Sequence, residues 1–131
     1  MQKKYVKFAI LNIETINILT PHEQELIATI SQAIESKKLI RFWYENTTTA
    51  HKDWRVAEPY LIGKFPKKFL QLSAWCVPTM EQLYNGQKEN WRAYILRNIS
   101  QVEILDHEFQ IRPDYDPTGN GMSEIVCSAK K

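Results

Sequence analysis

The sequence predicts a mainly β domain with one helix, folded as a small, strongly bent antiparallel barrel that an amphipathic α-helix precedes. Three observations carry this. TPHEQELIATISQAIESKK places apolar residues at helical spacing. The stretches after it are rich in β-branched and aromatic residues and are broken by turn-formers. Finally, five such stretches with one long and one near-immediate connection must curl to cover their edges.

In the helix, Leu26, Ile27, Ile30, Ala33 and Ile34 share one face, while Glu23, Glu25, Gln32 and Glu35 occupy the others. Thr20 suits the N-cap, Pro21 the first helical position, and Glu23 can reach back to the cap amide. Lys37 and Lys38 favour the negative pole at its end. Strands are expected at 38–45, 53–62, 68–76, 90–97 and 101–105, joined by NTTTAHK, GKFPKK, the longer VPTMEQLYNGQKE and the short NIS.

Most aromatic residues, including all four tryptophans, lie between Phe42 and Tyr94. The core should concentrate there, with at least three of the indoles inside it. Residues 1–20 read as an N-terminal strand segment and 21–116 as the helix-plus-sheet domain. The end of that domain, DHEFQIRPDYDP, would be pinned by Phe109 and Tyr115. Residues 117–131 read as a tail with a short strand at 124–127.

A chain of 131 residues, 44% hydrophobic and 24% charged, supports one ordinary core. A net charge of +2 is far from the basic balance of a dedicated nucleic-acid binder, so any anion site must be local. Cys76 and Cys127 are too few for a disulfide or metal framework, and His22, His51 and His107 have no shared spacing. No metal and no cofactor is expected. The longest early apolar run, YVKFAILNI, is interrupted by Lys7. It reads as a strand rather than an export signal or membrane span, which fits a cytoplasmic chain with no membrane partner. With four glycines there is no phosphate loop, and no serine sits in a nucleophile elbow. A non-enzymatic chain is expected unless Asp53, Glu58, Asp106 and Glu108 converge.

The candidate binding residues come from WRAYILRNIS. Arg92 and Tyr94 point to one face of a pleated strand, where a guanidinium can hold a phosphate beside a ring on which a base can stack. The alternative is that Arg92 lies in solvent with its stem over Tyr94. Arg55 is the second cation, with Glu58 as its possible internal partner. Arg97 can enlarge the basic patch from the end of the same strand, and Lys68, with Lys64 and Lys67, flanks Phe65 and Pro66 in a loop able to touch a backbone phosphate.

Several of these segments together resemble the WYL domain family. They are Ile30-x-x-Ala33-Ile34 followed by KKLIRFWYE, then Arg55-Val56-Ala57-Glu58-Pro59-Tyr60, Phe69-Leu70 leading to Ala74-Trp75-Cys76, Arg92-Ala93-Tyr94-Ile95-Leu96, and Ile99 with Val102, Ile104 and Leu105. The resemblance covers residues 26–115. The three naming positions read Lys68, Phe69 and Leu70, and Ile95, Arg97 and Asn98 stand where the family more often has arginine, aspartate and arginine.

The resemblance implies an Sm-like barrel behind a helix, serving as a ligand-sensing module in bacterial transcription or defence-system regulation. The implied ligand is a nucleotide or single-stranded nucleic acid. The implied partner is a DNA-binding chain or a second copy, because the segment before the helix is too short for a winged DNA-binding domain. The competing expectation is a protein-interaction or oligomerisation module that uses the N-terminal strand and the 77–89 loop.

Overall fold

The structure, a computed structural model, describes residues 19–49 and 51–131. The expected N-terminal strand therefore lies outside the described residues. Helix α1 runs Pro21–Ser36, and its start is the predicted capping box. The Thr20 hydroxyl accepts from the Glu23 N–H at 3.1 Å, and the Glu23 carboxylate accepts from the Thr20 N–H at 3.2 Å. Lys37 ends the helix through its backbone, turning left-handed at φ 54° with its N–H bonded back to Ile34.

Six antiparallel strands follow: β1 Lys38–Asn46, β2 His51–Lys64, β3 Gln71–Cys76, β4 Asn90–Ile95, β5 Ile99–Glu108 and β6 Glu124–Ser128. Their order is β4-β3-β2-β1-β5, with β6 also beside β2. The long β2 is the spine of the sheet. Its first half pairs with β1, and its second half pairs with β3 on one side and β6 on the other. Pro59, which has no N–H to give, sits where the β2–β3 register shifts. Gly63 is required by close approach: a Cβ there would stand 2.6 Å from both the Glu124 carbonyl and the Met122 sulfur. The 77–89 connection contains a short helix, α2 Met80–Tyr84, capped by Thr79.

Helix α1 lies across the concave side of the sheet. Its Ile27, Ile30 and Ile34 join Ile40, Phe42, Leu72, Leu96 and Ile99 in one buried cluster. The Tyr94 ring stands edge-on to Phe42 and Tyr44, 5.1 Å from each.

The structure departs from expectation in several places. The sheet is open, so the expected closed barrel is not what these strands form: among the described residues β4 pairs only with β3 and β5 only with β1. The near-immediate connection joins strands that are not neighbours in the sheet. It is a 3-10 turn, Leu96–Asn98, that carries the chain from one edge of the curled sheet to the other. The segment expected as a tail does form its expected short strand, β6, but is not loosely attached: β6 pairs with β2, and Val126, Cys127 and Ala129 are buried with it. Lastly, all four tryptophans are half-buried on the convex side rather than inside the core. Each of three indole N–H groups needs an acceptor, and Glu45, Glu89 and Asp114 supply them to Trp43, Trp75 and Trp91 from the surface.

Candidate functional site

Antiparallel register brings three of the predicted residues together. Phe42 opposite Arg55, and Ala74 opposite Arg92 with Leu72 opposite Tyr94, put Arg55, Arg92 and Tyr94 on the concave side. Tyr94 is 2% exposed, and its hydroxyl has no hydrogen-bond partner of ordinary geometry. Burial raises its pKa well above the ordinary tyrosine value, with the neighbouring Cys76 thiol adding to the rise. The charges of Arg55 and Arg92 act in the opposite direction, so both guanidinium groups lie within electrostatic reach of the phenol.

The two cations differ in their commitments. Arg55, its side chain 12% exposed, gives its Nε–H to Asp53 Oδ1 at 2.6 Å. Burial alone would lower its pKa, but the Asp53 hydrogen bond and charge outweigh that and leave it raised, so the group stays ionised. The expected alternative partner, Glu58, is engaged elsewhere. Arg92 is exposed on the edge strand and makes no hydrogen bond or ion pair among the described residues.

Arg97 and Lys68 do not join this group. They line a separate hollow of about 60 Å³ with Lys64, Glu23 and Phe69, beside the 3-10 turn. Phe69 is 56% exposed, and the Arg97 guanidinium lies over its ring at 3.9 Å from the centroid. The structure thus divides the five predicted residues between the two ends of β4.

The convex side holds what sequence reasoning missed. A cavity of about 360 Å³ opens there between β3–β4 and the segment that follows β5. Trp91, Leu61, Phe65, Tyr115 and Met122 give it apolar walls, and Arg92, Asp114 and Asp116 also line it. The outer wall is clipped in place. Arg112 forms a two-pronged pair with the buried Glu58 at 2.9 and 3.0 Å, and stacks over Trp75 at 3.9 Å from its ring centroid. The Tyr60 hydroxyl donates to Glu58 and accepts from the Arg112 N–H, both at 3.1 Å. The Tyr115 hydroxyl donates to the Ala129 carbonyl at 3.0 Å. No local spacing announces a Glu58–Arg112 pair, whereas Asp53-x-Arg55 was readable from strand period alone.

Three of the four carboxylates whose convergence would have supported hydrolysis are engaged with separate cations. Asp53 serves Arg55, Glu58 serves Arg112, and Asp106 pairs with Lys38 at 3.2 Å. Among the described residues no group of three His, Cys, Asp or Glu side chains is placed to hold a metal ion, and no helix is long and apolar enough to cross a membrane.

No curated protein matches the sequence. The fold is similar to part of proteasome accessory factor B/C (PafBC) of Arthrobacter aurescens, with a TM-score of 0.57 and 18% identity over 72% of this chain. That likeness takes in only 14% of the PafBC chain. The family model for the WYL domain matches residues 25–104, from the second turn of α1 through most of β5, and the chain belongs to the WYL domain family.

Proposed function

We propose that this chain is a regulatory module that senses an anionic, nucleotide-like or single-stranded nucleic-acid ligand, with Arg92 as its principal contact. The observation that carries this is the uncommitted Arg92 guanidinium, placed between an unpartnered buried phenol on one side of the edge strand and the lip of the 360 Å³ cavity on the other. A planar guanidinium presents five donors in a fork that suits phosphate oxygens. Arg55 reinforces the positive field while spending only its Nε–H on Asp53.

Lys64, Lys68 and Arg97 beside the exposed Phe69 form a second cationic and aromatic cluster. It lies past the end of β4, with about 10 Å of strand between Arg92 and Ile95 at ~3.3 Å per residue before the 3-10 turn that holds Arg97, a separation that suits a short strand better than a single nucleotide. Binding would favour one arrangement of the module against a partner chain, since a ligand shifts an equilibrium only by binding one state better.

The test is fluorescence anisotropy with short single-stranded DNA and RNA, and competition by nucleotides, at two salt concentrations. Binding should weaken as salt rises. Arg92→Ala should weaken it about tenfold, the worth of a charge-assisted hydrogen bond, without moving the melting temperature. Binding that ignores both salt and Arg92 would remove the reading.

A second reading is favoured by one observation. The 77–89 loop presents Met80, Leu83 and Tyr84, which are 83%, 48% and 92% exposed, on the single short helix α2. Such a patch suits contact with another protein. Replacing all three by serine should reduce the solution mass if α2 joins copies of this chain, and an unchanged mass would discard self-association through it.

A further inference from the structure

The family match ends at residue 104, yet the outer wall of the 360 Å³ cavity comes from residues 114–122. The family fold therefore supplies only the inner wall, formed by β3 and β4 with Leu61 and Phe65. Whatever the cavity selects is selected by the added segment. Its volume is at the lower end of the ~300–1,000 Å³ typical of small-molecule sites, enough for one compact ring system.

The polar groups at the rim are of two kinds. Arg92, whose side chain leaves the edge strand on the concave side but which also borders the cavity, offers donors across that edge. Asp114 and Asp116 offer acceptors, and each has one oxygen already used: Asp114 Oδ2 accepts from Trp91 Nε1 at 2.8 Å, and Asp116 Oδ1 accepts from the Thr118 N–H at 2.9 Å and its hydroxyl. The other oxygen of each aspartate has no hydrogen bond among the described residues. Arg92 lies beyond ion-pair distance of both carboxylates, so the rim remains divided into a positive and a negative side.

We infer that this cavity is a base-reading pocket, in which the ring of a nucleotide lies against Trp91 and Tyr115, its phosphate meets Arg92, and Asp114 and Asp116 accept from an exocyclic amino group. The inference rests on the reading of an anionic, nucleotide-like ligand and adds to it a choice of base. Cytosine, adenine and guanine each present an amino group that a carboxylate can accept from. Uracil presents a single N–H flanked by two carbonyl oxygens, which a carboxylate repels. The aromatic wall supplies affinity for any base, and the acidic rim supplies the discrimination.

The experiment is calorimetric titration of the full chain with CMP, AMP, GMP, UMP and ribose 5-phosphate at low salt. The three amino-bearing nucleotides should bind at least about fivefold more tightly than UMP, the modest end of what one base contact gives, and ribose 5-phosphate should bind more weakly still. Asp114→Asn with Asp116→Asn should bring the CMP and UMP affinities together, since an amide donates as well as accepts.

Ala93→Phe, at an exposed position lining the cavity, should reduce CMP to the level of ribose 5-phosphate while leaving Arg92 in place. If that variant does not fold, the aspartate pair decides the matter alone. Equal binding of all five compounds, still lost in Arg92→Ala, would overturn the pocket and leave the anion reading standing. Absence of binding by every mononucleotide would overturn the pocket too, and the oligonucleotide titrations would then judge the wider reading separately.

Discussion

Replacing Arg112 by alanine would strand the Glu58 carboxylate, which is 7% exposed, with only the Tyr60 hydroxyl to satisfy it. Breaking a buried pair from one side costs ~3–5 kcal/mol, and because Arg112 is partly solvated the lower end, about 3 kcal/mol, is expected from urea denaturation. Adding Glu58→Gln should recover part of that loss, because the remaining group is then neutral.

Tyr60 in the same cluster makes the domain sensitive to alkali. Burial pushes its phenol from 10.0 up to about 12, and the Arg112 N–H only partly opposes this. The unfolded chain therefore loses this proton before the folded one does. Its contribution is complete below about pH 10 and is lost as the pH rises toward 12. Tyr60→Phe should flatten the fall in stability over that window in pH-dependent denaturation. A residual slope should remain from Tyr94 and Tyr115, which burial shifts in the same direction.

Among the elements, α1 and β6 present opposite cases. The helix was legible to its first residue, because cap, proline and glutamate act within one turn and need no tertiary partner. Thr20→Ala should lower stability by about 1 kcal/mol by removing the acceptor for the Glu23 N–H, measurable by chemical denaturation. β6 was legible as a short strand but not as a member of the sheet, since its place beside β2 depends on the absent side chain at Gly63 and on the Tyr115 hydroxyl reaching Ala129. Gly63→Ala should cost about 1–3 kcal/mol by overpacking, with β6 amides the first to lose protection in hydrogen exchange. The tryptophans were misplaced because hydrophobic size was weighed without their N–H groups, three of which find acceptors at the surface.

For the whole molecule, the positions of the strands along the chain followed from where apolar runs and turns fall, but neither their order in the sheet nor its openness did, because nothing local records which edges meet. Arg92 and Tyr94 were readable as one group from strand period, and the register adds Arg55 on the same side. Arg97 and Lys68 were assigned to the same patch by charge alone and lie at the other end of β4. The cavity was illegible because its two walls come from distant parts of the chain. A chain stopped at Glu108 keeps the entire family match but uncovers Tyr60, Leu61 and Trp91. It should aggregate or unfold at lower urea than the full chain, as size-exclusion and denaturation will report.

The 3-10 link has a mechanical corollary. With only Leu96, Arg97 and Asn98 between them, β4 and β5 are tethered with no slack, and at both ends the tether is fastened: the Ile95 N–H to the Tyr44 hydroxyl, and the Ile99 carbonyl to His22 at the foot of the helix. A tug on the rim that carries Arg92 is therefore geared directly to the far rim and to α1, rather than dissipated in a floppy loop.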